Sequence, residues 1–92
     1  ENAIEMLGMF VEMTAPLIAS IKTAWENKDY HDLAEAAHSL KGAARSACIN
    51  VLGEAASILQ DESEKNRANA QMIAQVEHEF ARAKAEIEAL KV

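Results

Sequence analysis

Residues 70–91 read AQMIAQVEHEFARAKAEIEALK, and their spacing decides the fold class. Ile73, Val76, Phe80, Ala83, Ile87 and Leu90 fall at alternating steps of three and four, an unbroken apolar seam along one helix face. Glu77, Glu79, Arg82, Lys84, Glu86 and Glu88 fill the remainder, as a solvated face should. Asn69 can accept from a free backbone N–H of the first turn, so the spacing predicts a capped helix over 70–91.

The same reading extends back toward the N-terminus. Residues 63–69 are polar and form a loop. Before them, Leu52, Ala55, Ile58 and Leu59 turn the inner face of a helix over 51–64. A break at Cys48-Ile49-Asn50 separates it from a helix over 30–47, whose seam is Leu33, Ala37, Leu40, Ala44 and Ala47. Asp29 is placed to cap that helix, with Asp32 adding a favourable charge in its first turn. Leu17, Ile18, Ile21, Ala24 and Trp25 stripe an earlier helix, which Thr14 would cap with Pro16 in its first turn. Ile4, Leu7, Phe10 and Val11 suggest a short leading helix. Short connections make successive long helices antiparallel. The expected fold is all-α, an up-down-up-down antiparallel four-helix bundle with a short additional N-terminal helix.

Composition agrees. Ninety-two residues are one domain's worth of chain, so 1–92 is read as a single unit. Half the residues are apolar, yet three glycines and one proline leave too little turn chemistry for a sandwich or barrel. A chain this size buries only about 60–65% of its unfolded surface, so its core must be efficient. Fifteen acidic against nine basic side chains give a net charge of −6, with no basic block for phosphate neutralisation, so no nucleic-acid partner is expected. The single Cys48 cannot close an internal disulfide and fits a reducing compartment. No apolar run approaches the roughly 20 residues that span a bilayer. A cytoplasmic, monomeric domain without direct membrane contact is expected. Because the chain opens Glu-Asn-Ala without methionine, it reads as a segment of a longer protein whose missing part could carry a membrane anchor.

One helix face is not explained by the core. Residues 37–47 read AHSLKGAARSA. His38 lies roughly 140° from the Leu33/Leu40 seam, and Lys41, Gly42 and Arg45 follow it at steps of three, four and seven, on one outward strip. A glycine inside a helix costs about 1 kcal/mol relative to alanine, and the helix itself has no use for it. Neutral imidazole is a good nucleophile near physiological pH. If its ring accepts a phosphoryl group, Lys41 one turn away neutralises the new charge and Arg45 can assist. Gly42 clears space for a partner.

The stretch AHSLKGAARSA resembles the phospho-accepting segment of histidine-containing phosphotransfer (HPt) domains, whose motif runs His, any residue, Leu, Lys, Gly, then small residues. The resemblance implies a four-helix bundle that carries a phosphoryl group on histidine between receiver-domain aspartates in two-component phosphorelays. It implies His38 as acceptor, Lys41 as supporting lysine, Gly42 as contact glycine, and Gln60 on the following helix as the glutamine that faces the histidine. Gly53 and Ala56 keep that face of the following helix uncluttered. The specific part of the likeness spans 37–60. The family's Gly-Ala after the motif is Cys48-Ile49 here, and Arg45 stands where members usually carry something smaller, so its role rests on spacing alone.

The expectation is a stoichiometric phosphohistidine carrier, not an enzyme, with no cofactor of its own and Mg²⁺ brought by the partner receiver. A hybrid sensor kinase in the parent chain would be a further partner. Apolar residues bordering the strip, from the first two helices, are expected to supply docking energy, with His31 on the border. Two other functions share the features: a helical adaptor that binds receivers without accepting phosphate, and the histidine-bearing domain of a chemotaxis-type kinase. His31, Glu35 and His38 have metal-ligand spacing, but a fourth ligand is missing and no metal is expected. Cys48 reads as a small buried hydrophobe, His78 as solvated, and Met6, Met9, Met13 and Met72 as core or rim packing.

Overall fold

The computed structural model describes residues 2–90, with the side chains of 2–4 and 6 left aside. It holds four helices and, among the described residues, no strand: α1 (Asn2–Glu26), α2 (Tyr30–Ser46), α3 (Asn50–Glu64) and α4 (Ala70–Ala89). Each packs on its chain neighbour, and α4 returns to pack on α1. The packing expected of Ile4 and Met6, and the last helical position at Lys91, lie outside the described residues.

The caps follow the sequence. Asp29 accepts from the Asp32 N–H at 3.1 Å, and Asn69 from the Met72 N–H at 3.0 Å. These side chains satisfy N–H groups that the first helical turn leaves free. All three helix ends at the connections close the same way. Asp29 N–H bonds Ala24 O, Ile49 N–H bonds Ala44 O, and Arg67 N–H bonds Glu62 O, each across six residues. The residue before each donor has positive φ: Lys28 at 55°, Cys48 at 61° and Asn66 at 58°. These are Schellman turns built without glycine. An L-residue other than glycine pays about 1–2 kcal/mol in this conformation. Glycine gives back part of that through its freer unfolded chain. Cys48→Gly should therefore stabilise the domain by about 0.5–1 kcal/mol, read as a higher urea midpoint.

One expected break is absent. Among the described residues there is no separate short leading helix; α1 runs unbroken through Thr14 and Pro16. Thr14 is fully buried and caps nothing: its hydroxyl donates to Phe10 O at 2.6 Å, inside the helix. Pro16 withdraws the donor for the Glu12 carbonyl, and Glu12 and Pro16 are both exposed, so water can take that place.

The core is formed by Phe10, Ile21, Leu33, Leu40, Leu52, Leu59, Ile73, Val76 and Ile87, interleaved with Ala37, Ala44 and Ala56. Several assignments by hydropathy change. Along α3 the inward line is Leu52, Ala56, Leu59 and Ser63, while Ile58 is half exposed. The face is set by helical angle, so a small and a polar residue take inner places and an isoleucine does not. Ser63 is 1% exposed and its hydroxyl has no hydrogen-bond partner among the described residues. On α4, Leu90 is half exposed just past the helix end, and Glu79 is buried, held by Gln75 at 3.0 Å and Arg82 at 3.3 Å. A buried carboxylate needs such partners, and the two lie on its own helix at steps of four and three. Cys48 is exposed, because the left-handed turn it occupies points it away from the core.

Candidate functional site

Ala37 and Ala44 of α2 and Ala56 of α3 are fully buried, and where the two helices meet Gly53 is buried beneath Arg45. A Cβ at Gly53 would come within 3.3 Å of Arg45 Cγ and 3.7 Å of Ala44 Cβ. The close approach this allows brings a side chain of α3 within reach of the outer face of α2.

That side chain is Gln60. His38 stands exposed on α2, two residues from fully buried Leu40. Its Nδ1 lies 3.4 Å from Gln60 Oε1. Gln60 Nε2 in turn donates to Glu64 Oε2 at 3.1 Å. A carboxylate only accepts, so this second bond determines which end of the amide meets the imidazole. The amide oxygen also only accepts, so the contact is a hydrogen bond when the imidazole carries a proton on Nδ1, the tautomer whose lone pair is on Nε2. Glu64 was not among the residues that spacing singled out. Its signal is the Gln-x-x-x-Glu step of one helical turn, common on solvated faces and informative only once Gln60 is known to face His38.

Lys41 is half-buried and Arg45 exposed on the same strip. Among the described residues neither is paired with a carboxylate; the ion pairs join Lys22 to Glu77, His31 to Glu35, Arg67 to Glu62 and Arg82 to Glu79. Two cations beside an imidazole are thus left with unanswered charge. A Cβ at Gly42 would meet nothing within 4 Å, so no helix contact requires this glycine.

His31 is exposed two turns before His38, with Nε2 3.4 Å from Glu35 Oε2. The His31, Glu35 and His38 combination weighed from spacing is not assembled. The donor atoms that come within 4.8 Å of one another belong to His31, Asp32 and Glu35, all exposed. His78 is exposed on α4.

An apolar groove of about 550 Å³ flanks the strip, lined by Leu7, Met9, Phe10 and Met13 of α1 and Ala43, Ser46, Ala47 and Cys48 at the end of α2. Met9 and Met13, read as core or rim, are 58% and 68% exposed on it. Among the described residues no helix is long and apolar enough to cross a membrane.

A family model described as Hpt domain matches residues 5–90. No curated protein and no solved structure matches the chain.

Proposed function

Since the chain belongs to the Hpt domain family, the histidine phosphotransfer modules that work with receiver domains in two-component signalling, we propose that His38 is its phosphoryl acceptor and Nε2 the attacking atom. The observation that supports this is the Glu64–Gln60–His38 chain, which favours the tautomer with its proton on Nδ1 and its lone pair on Nε2 of the exposed ring. A docked receiver presents an aspartyl phosphate together with its own Mg²⁺. The Nε2 lone pair attacks phosphorus, the phosphorus–oxygen bond to the aspartate breaks, and its electron pair returns to the carboxylate. The product ring is a phosphorylated imidazolium whose Nδ1–H still donates to Gln60. Lys41 and Arg45 answer the charge of the phosphoryl oxygens. A second receiver's aspartate reverses the step, so the domain is a stoichiometric carrier that borrows its chemistry from partners. The short connections and the closed ring of neighbouring helices support an antiparallel up-down-up-down course for the bundle.

Docking energy comes from the groove of Met9, Phe10 and Met13 beside the strip, with Gly42 giving the partner's backbone room to approach. The reading is tested by incubating the domain with a phosphorylated receiver and following acid-labile, base-stable label on His38; no transfer from any receiver overturns it. Gly42 supplies a sharper check. Gly42→Ala should stabilise the isolated domain by about 0.5–1 kcal/mol, because alanine is the better helix former and its methyl meets nothing. The same variant should slow phosphotransfer. Greater stability with undiminished transfer would remove Gly42 from the docking surface.

A further inference from the structure

The face of the α1/α2 pair beside His38 differs between its two ends. One end is the apolar groove with exposed Met9 and Met13. The other is a recess of about 500 Å³ walled by Asp29, Asp32 and Glu35, with the hydroxyls of Ser20, Thr23 and Ser39. Helical geometry puts both on one side of the pair. On α2, Asp32, Ser39, Ala43 and Ser46 fall within about 60° of one another, and on α1, Met9, Met13, Ser20 and Asn27 fall within about 40°. At 1.5 Å per residue the two ends lie about 15–20 Å apart along α2, with His38 between them in height. His38 stands about 100° round α2 from Ser39, at the edge of this face, and an interface of about 800 Å² per partner is large enough to take in both ends and the histidine.

The acidic end has little to balance it. All three carboxylates are exposed, and among the described residues no lysine or arginine pairs with them; His31 lies against Glu35 at 3.4 Å. Asp29, by a side-chain hydrogen bond and then by its charge, holds the Asp32 carboxyl above its ordinary value, a sign of crowded negative charge. Among the described residues, none that lines the methionine end is charged.

We propose that this face reads the polarity of the receiver that docks on it: apolar side chains of the receiver sit over Met9 and Met13, and lysine or arginine side chains about 15–20 Å away meet Asp32 and Glu35. This rests on the phosphocarrier reading and adds to it a rule for choosing among receivers. Complementary charge raises the encounter rate and aligns the partner, while an acidic patch at the same place repels a wrong receiver. A receiver docked the other way round would lay its cations in the apolar groove, so the arrangement also sets orientation over His38.

The experiment uses purified receivers, each phosphorylated with a small-molecule phosphodonor, against the wild-type domain, an Asp32→Asn/Glu35→Gln double variant and a Met9→Ser/Met13→Ser double variant. For the fastest wild-type donor, the second-order transfer rate at low salt should fall about tenfold in each double variant. The loss in the acidic variant should vanish near about 0.5 M salt, where screening acts within a few ångströms, and the loss in the methionine variant should persist. Glu35→Gln alone, away from the helix start, gives the same direction if Asp32→Asn weakens α2. Transfer by the acidic variant at wild-type rate and with wild-type salt dependence, for every receiver, overturns the proposal. Absence of transfer to the wild-type domain is a different result and overturns the carrier reading beneath it.

Discussion

A His38→Gln variant will carry no acid-labile, base-stable label after incubation with a phosphorylated receiver, and will unfold at the wild-type urea midpoint. Glutamine approximates the length and polarity of the imidazole but has no nucleophilic nitrogen lone pair, since its amide nitrogen is conjugated. The structural consequence is small, because His38 is exposed and its one side-chain hydrogen bond among the described residues is a 3.4 Å contact with Gln60. Surface changes of this kind stay within about 0.5 kcal/mol. The pair of readouts matters: lost label with an unchanged midpoint assigns the chemistry to the side chain and not to the fold. Label retained on the variant would move the acceptor to His31 or His78, the two remaining histidines, and the mechanism built on Gln60 and Glu64 would fall with it. Unchanged signalling by the variant in cells would instead favour a receiver-binding adaptor.

Leu40→Ala will have the opposite profile. Leu40 is fully buried in the core, two residues from His38 on the same helix. Truncating a buried leucine to alanine destabilises by about 2–5 kcal/mol, through lost transfer energy and the cavity left behind. A domain of this length has of the order of 5–14 kcal/mol in all, so the urea midpoint should drop by a large fraction of its value. Phosphotransfer per folded molecule should be nearly unchanged, because the strip of α2 lies on the other side of the helix. A Leu40→Ala domain that keeps the wild-type midpoint would contradict the packing described here. One that stays folded but transfers poorly would mean that the position of His38 depends on core packing more finely than one hydrogen bond suggests.

The two variants separate because one helix serves two faces. The steps of three and four that bury Leu33, Ala37, Leu40 and Ala44 also turn His38, Gly42 and Arg45 outward. That much is readable from residue order, since a helix has one period and the strip needs no information from other elements. The caps at Asp29 and Asn69 were equally readable, being interactions over three residues. The family likeness, whose specific part in the sequence spans 37–60, is matched by the family model over residues 5–90.

Readings that needed a neighbour fared differently. Thr14 and Pro16 carry a helix-start signal, but a hydroxyl that bonds the previous turn and a carbonyl open to water remove any need to break α1 there. Glu79 looked solvated because its own helix is rich in charge, yet it is buried, with Gln75 and Arg82 as its partners. Cys48 looked like a core residue by type, and the left-handed turn between α2 and α3 put it outside.

By itself, then, the order of residues determined an all-helical chain with a histidine, two cations and a glycine on one outward strip, because local periodicity and capping decide those features. Tertiary structure decided that α1 is one helix, that small residues draw α3 against α2, and that Gln60, itself oriented by Glu64, meets Nδ1 of His38. It also decided that Met9 and Met13 share one face with Asp32 and Glu35. These depend on the distance and rotation between helices, which many side chains set jointly and no single stretch of sequence encodes.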